Sequence, residues 1–183
     1  MNRIAALLLA VAMAAAGGLP AAAQDGGKGG RKGGDPPKKE ERKRLSEGDE
    51  VKDLPLELAA GGSWTAASAR GKVAVLVFAG DWSPESMEAL KRLGDPKGKV
   101  AAAGAETLGV LRDCGAEKAR KAAKDGGITV RLAVDPKRRA YDLLARGGLP
   151  WTVVLDRAGR IALSSSGFDE EAVARKVGAL LKP

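Results

Sequence analysis

Residues 78–86, FAGDWSPES, follow the apolar run Val73–Val77 and concentrate polar groups in one place. Trp82 leads two hydroxyls three positions apart, Ser83 and Ser86, with Pro84 and Glu85 between them. A serine hydroxyl becomes an effective nucleophile when a neighbouring base takes its proton. The chain of 183 residues contains no histidine, which excludes Ser-His and Cys-His nucleophilic pairs and imidazole metal ligands. Its single cysteine, Cys114, excludes an intrachain disulfide and a thiolate metal cluster. Cys114 stands before the helical stretch AEKARKAAK. A helix N-terminus and Arg112 would favour its thiolate, while Asp113 and Glu117 oppose it. Two readings of this thiol follow: a one-cysteine peroxidase or mixed-disulfide partner, and a packed, inert side chain. Neither GxGxxG nor GxxxxGK occurs, so no phosphate loop is expected, and no cofactor or metal.

Periodicity predicts the elements that must hold these residues. Val73–Phe78 is continuous and valine-rich, the pattern of a strand buried on both faces. Ser83 to Leu93 carries Met87, Leu90 and Leu93 and reads as a helix beginning after a serine cap. Thr107–Leu111 is a second strand, and Ala116–Lys124 a helix stopped by Gly126-Gly127. Ile128–Val134 alternates as a strand up to Asp135-Pro136, and Arg138–Arg146 is helical up to Gly147-Gly148. Trp151–Asp156 and Ile161–Ser165 form a hairpin through RAGR, and Asp169–Leu181 is the last helix. Upstream, DLPLEL and SWTAAS flank Gly61-Gly62 as a short hairpin or irregular segment. Strands alternating with helices and closing on a hairpin and helix define an α/β three-layer sandwich with a central mixed sheet. Parallel strands open at their C-terminal ends on one edge, which brings Cys114 near Ser83. Aromatic residues make up 3% of the chain, so the core rests on Leu, Val, Ile and Ala, with Trp64, Trp82 and Trp151 as core or groove walls. Asp81, in a loop, reads as a cap or turn residue.

The N-terminal region has a different composition. Residues 1–23 have a basic start at Arg3, an apolar run Ile4–Ala16 and the small residues Ala21-Ala22-Ala23, the pattern of a signal peptide cut before Gln24. An uncleaved anchor is the alternative, but the apolar run is short for spanning and Gly17, Gly18 and Pro20 weaken it. Export to the periplasm or outside the cell follows, and no second hydrophobic segment gives the mature chain a transmembrane span. Residues 24–45 hold eight basic and four acidic residues, a net of +4 out of +8 for the whole chain. Rich in Gly, Pro and Lys, they are expected to form a disordered tether able to touch anionic surfaces. No aromatics are interleaved for base stacking, so no specific nucleic acid is expected. Residues 46–183 are the folded domain.

Four strings in this order resemble the thioredoxin-like superfamily, in its exported TlpA/ResA-type branch or the related AhpC/TSA (redoxin) group. They are EGDEVKDLPLEL, ARGKVAVLVFAGDWSPES, LGVLRD with ITVRLAVDP, and GGLPWTVVLDRAGRI, and the likeness spans about residues 47–183. The resemblance implies a redox motif at Trp82, Ser83, Pro84, Glu85 and Ser86, with Ser83 and Ser86 where the family carries its two cysteines. It also implies that Pro150, between Leu149 and Trp151, is a cis proline facing that motif and presenting backbone to an extended substrate. The departure lies in the chemistry. Dithiol–disulfide exchange needs a thiolate to attack and a second thiol to resolve, and serines do neither. Nor does Cys114 fit the peroxiredoxin pattern, since Leu111, and no Thr or Ser, stands three residues before it. The expected function is therefore binding of envelope proteins or peptides, as a partner or an assembly factor. The alternative is a thiol oxidoreductase or antioxidant working through Cys114.

Overall fold

The computed structural model describes residues 44–52 and 54–182. The expected signal peptide (1–23) and nearly all of the expected tether (24–45) lie outside the described residues. Of residues 24–45, Arg44 and Leu45 are described. Leu45 is half-buried against the core and donates its N–H to the carbonyl of Leu143 (2.9 Å).

Seven strands build one mixed sheet: β1 (Pro55–Leu58), β2 (Ser63–Thr65), β3 (Ala74–Ala79), β4 (Glu106–Arg112), β5 (Leu132–Asp135), β6 (Trp151–Leu155) and β7 (Ile161–Ser166), in spatial order β2-β1-β5-β4-β3-β6-β7. β5, β4 and β3 run parallel; β6, β7, β1 and β2 are antiparallel to their neighbours. Five helices cover it: α1 (Pro84–Gly94), α2 (Lys99–Ala102), α3 (Ala116–Gly126), α4 (Arg139–Leu144) and α5 (Glu170–Leu181).

All six residues of β3 are buried, as its unbroken apolar run requires. The pleat sends Ala74, Leu76 and Phe78 to one face and Val75, Val77 and Ala79 to the other. The first face packs with Leu56, Trp64, Tyr141, Leu144 and Val153. The second packs with Leu90, Leu93, Ala119, Val173 and Val177 from α1, α3 and α5. This is the sandwich expected from sequence. Among the described residues no helix is long and apolar enough to cross a membrane.

The main departures from expectation lie at β5, α4 and α2. The strand expected over Ile128–Val134 is a ladder only from Leu132 to Asp135. Upstream of it, Thr129 donates its hydroxyl to the carbonyl of Gly94 (2.7 Å), so the segment is tied to the end of α1 instead of running on beside β4. The helix expected over Arg138–Arg146 spans Arg139–Leu144, because Arg138 takes a left-handed conformation (φ 56°) and Ala145 is already extended. The short α2 had no periodic signal. At the other end of the sheet, β1 and β5 pair through Glu57–Val134 and Leu58–Ala133. Continuing that register would oppose Pro55 to Pro136, neither of which has an N–H to give. The strands part there, leaving a cleft of about 330 Å³ lined by Leu54, Leu56, Lys137, Arg139 and Leu143 among others.

Candidate functional site at the C-terminal edge of the sheet

α1 begins where β3 leaves the sheet. Ser83 is its N-cap, with extended backbone (φ −103°, ψ 115°), and Pro84 occupies the first turn, where a missing N–H costs nothing. The Ser83 hydroxyl accepts from the Ser86 N–H (3.1 Å) and donates to Glu85 Oε2 (2.9 Å). Glu85 is held below its ordinary carboxyl range, first by its own backbone N–H and then by the Ser83 hydroxyl, consistent with an anion at a helix N-terminus. Ser86 is fully buried, and its Oγ has no hydrogen-bond partner among the described residues. One hydroxyl is spent on capping and the other is stranded.

Trp82 is 54% exposed, the one large hydrophobic side chain so placed among the described residues. Its indole folds back over Gly80: a Cβ there would lie 2.7 Å from Trp82 Cε2, so only glycine admits this packing. Arg112, at the end of β4, slots its guanidinium between two rings, 5.5 Å from that of Trp82 and 4.5 Å from that of Tyr141. Asp113 follows in a left-handed conformation (φ 58°). Its carboxylate lies 3.1 Å from Arg112 Nε and 2.5 Å from Arg138 Nε, and Arg138 is the main cause of its lowered pKa. Tyr141 meets Phe78 edge-on (centroids 6.0 Å apart) and donates its hydroxyl to the carbonyl of Gly147. Sequence reasoning weighed Arg112 as an aid to a thiolate and missed Tyr141 and Arg138; an arginine between two aromatics distant in sequence leaves no local pattern.

The Leu149–Pro150 peptide bond is cis. Pro150 and Trp151 are buried and Leu149 half-buried. Phe78 pairs with Trp151 on one side and Val110 on the other. The loop after β3 therefore rises between Leu149-Pro150 and Arg112-Asp113. Trp151 donates its Nε1–H to Ser164 Oγ (3.0 Å), and the Ser164 N–H donates to Glu47 Oε1 (3.0 Å). The Pro150 carbonyl accepts from the Gly167 N–H (2.8 Å). Trp64 belongs to the core, 2% exposed, with its Nε1–H on Glu106 Oε1 (3.0 Å).

Cys114 does reach this edge of the sheet, but it is 1% exposed, packed within the α1–α3–α5 side of the core. Its Sγ–H faces the Gly115 carbonyl (3.4 Å). Burial pushes its pKa up, Asp81 adds to the rise, and Lys118 opposes it. Of the two readings of this thiol, the burial accords with the packed side chain: Arg112 is engaged with the two rings and Asp113, and desolvation opposes the thiolate. Asp81 does sit in a turn, as expected, at the first corner between Gly80 and Ser83, where the Ser83 N–H donates to the Gly80 carbonyl (3.1 Å). Its Oδ2 pairs with Lys118 Nζ of α3 (2.7 Å), and its Oδ1 is buried with no partner among the described residues.

The sheet order, the cis proline and the helix that starts beside it define a thioredoxin-like protein. The AhpC/TSA family model matches residues 48–164, and the chain belongs to that family. A search of the curated proteins gives no match. Among solved structures, one assigned as a thiol:disulfide interchange protein DsbE from Chlorobium tepidum is 25% identical, with a TM-score of 0.66, over 75% of this chain and 99% of that one. The exposed lipoprotein thioredoxin Etrx1 of Streptococcus pneumoniae is 19% identical (TM-score 0.58, covering 70% and 100%). Peroxidoxin BcpB of Mycobacterium tuberculosis is 21% identical (TM-score 0.58, covering 75% and 97%). The last two likenesses bear on the fold alone.

Proposed function

We propose that this chain is an exported thioredoxin-like protein that has lost dithiol–disulfide exchange and binds protein or peptide segments in the cell envelope, at the groove between Trp82-Ser83 and Leu149-Pro150. The observation that carries the reading is the state of the two hydroxyls. Ser83, where the family places its attacking sulfur, is consumed as a helix cap, and Ser86, where it places the resolving one, is buried and unpartnered. An oxygen at either position supplies no thiolate and forms no disulfide. The groove retains features that suit binding. Trp82 is exposed, and amphipathic rings of this kind anchor interfaces. Leu149, half-buried beside the cis proline, makes no backbone hydrogen bond with the other described residues, so its N–H and C=O are available to an extended peptide. Burial and the raised pKa of Cys114 weigh against the alternative of a thiol-dependent oxidoreductase. Export rests on the leader-like residues 1–23.

The test is a gain of function. The wild-type chain is expected not to accelerate the reduction of insulin by dithiothreitol above the rate of dithiothreitol alone, and the double variant Ser83→Cys/Ser86→Cys to accelerate it. Turnover of insulin or hydrogen peroxide by the wild type, lost in Cys114→Ser, would overturn the reading in favour of the enzyme.

A further inference from the structure

Arg112 is arranged in a way that disulfide chemistry does not require. Its guanidinium lies between the faces of Trp82 and Tyr141, its side chain is 17% exposed, and its Nε is buried without an aligned hydrogen bond. Neither Nη group donates to another described residue, and neither is buried. Glu85 at the Ser83 cap and Asp142 beside Arg138 balance the charge of this edge as a whole, but neither forms a salt bridge with Arg112. One carboxylate, Asp113, serves two guanidinium groups, Arg112 and Arg138, while Asp81 is matched by Lys118. Two residues in left-handed backbone, Asp113 and Arg138, hold this arrangement, and strain of that kind gathers at binding sites. A guanidinium held in its plane, with neither Nη group paired to a described residue, can grip a carboxylate through two parallel N–H···O bonds.

The registers place this receptor in the groove. Phe78 opposes Trp151 in β6 and Val110 in β4; carried two residues further, both registers set Leu149 and Arg112 level on either side of Gly80. The two are then two strand spacings apart, roughly 10 Å, which an extended peptide covers in about three residues. From this geometry we infer that the groove selects acidic segments: a peptide paired to the Leu149 backbone lays an Asp or Glu side chain, about three residues along, on the Nη edge of Arg112. The inference rests on the peptide-binding reading and adds the chemistry of its ligand.

The test uses the immobilised full-length chain and a combinatorial library of hexapeptides acetylated and amidated at their ends, so that side chains carry the only carboxylates. Retained peptides are read by mass spectrometry. Acidic peptides are expected to be enriched, and Arg112→Gln to cut their retention about tenfold or more beyond any change it causes in neutral peptides through the Trp82 ring. The comparison subtracts any attraction of acidic peptides to the basic residues 24–45. Arg112→Lys, which keeps charge and stem but loses the fork, is expected to recover part of the retention and decides the matter if the glutamine variant fails to fold. Acidic and neutral peptides retained alike, or losses in Arg112→Gln shared by both, overturn the inference and leave the binding module standing. Enrichment confined to a parallel library with free C-termini also overturns it. Retention of no peptide by the wild type overturns inference and binding module together.

Discussion

The two serines of α1 are chemically identical and physically opposite. Ser83 satisfies an otherwise unpaired N–H of the first helical turn, and loss of such a cap costs about 1 kcal/mol. Ser86 buries a hydroxyl with no partner among the described residues, a desolvation penalty of about 1–3 kcal/mol that folding must absorb. Ser83→Ala is therefore expected to destabilise the protein by about 1 kcal/mol, with Ser83→Asp restoring most of the loss. Ser86→Ala should leave stability unchanged or raise it, since alanine removes the stranded oxygen and suits a helix better. Urea unfolding of the three variants checks both signs. Equal losses for Ser83→Ala and Ser86→Ala would mean that Ser86 has a partner after all. The serine cap was legible in the sequence because capping is local; the burial of Ser86 depends on how α1 lies on the sheet and was not.

At the scale of the element, what was legible follows the same division. β3, α1, β4, α3 and the β6–β7 hairpin could be read because each carries its own periodicity and its own stop signal, as with Gly127, which takes the left-handed C-cap of α3 (φ 63°). The start of β5 could not, because tertiary contact decides it. Gly94, at the end of α1, lies so close to the incoming chain that a Cβ would stand 2.5 Å from the Val130 nitrogen and 2.6 Å from Thr129 Oγ1. The first obstacle is backbone, which cannot swing away as a side-chain tip can. Gly94→Ala, although it improves helix propensity, is thus expected to destabilise by about 1–3 kcal/mol through overpacking. Gly178, inside α5, has open space where its Cβ would go, and Gly178→Ala is expected to stabilise slightly. Opposite shifts in thermal midpoint for the pair check the contact, and a stabilised Gly94→Ala would refute it.

For the molecule as a whole, the ionisable groups set a pH window. Asp113, Asp169 and Glu171 have lowered pKa values, held chiefly by Arg138, by the Ala172 N–H and by Lys99 respectively. In each the folded state favours the carboxylate, so the stability they lend is present above the ordinary carboxyl range and is lost as pH falls through the folded pKa. Glu170, between Asp169 and Glu171, accepts from the Lys99 N–H (2.7 Å) and from Arg92 Nη2 (3.0 Å) and so fastens α5 to α1 and α2. The basic side of the window has a different origin. Cys114 has a raised pKa because burial disfavours its thiolate, so the unfolded chain gives up the thiol proton first, and stability falls as pH rises above the ordinary thiol value of about 8.5. Lys118, raised by its hydrogen bond to Asp81, acts higher still, its contribution disappearing as pH passes through its folded pKa. The urea midpoint is therefore expected to plateau between about pH 5 and 8, to drop in acid, and to begin a second descent near pH 8.5. Replacing Cys114 by alanine should delay that second descent to the range where lysine titrates, at some cost in overall stability from the cavity left behind. A basic limb unchanged in Cys114→Ala would mean that the thiol ionises as readily in the folded protein as in the unfolded chain, and with that the principal physical objection to a reactive Cys114 would be gone.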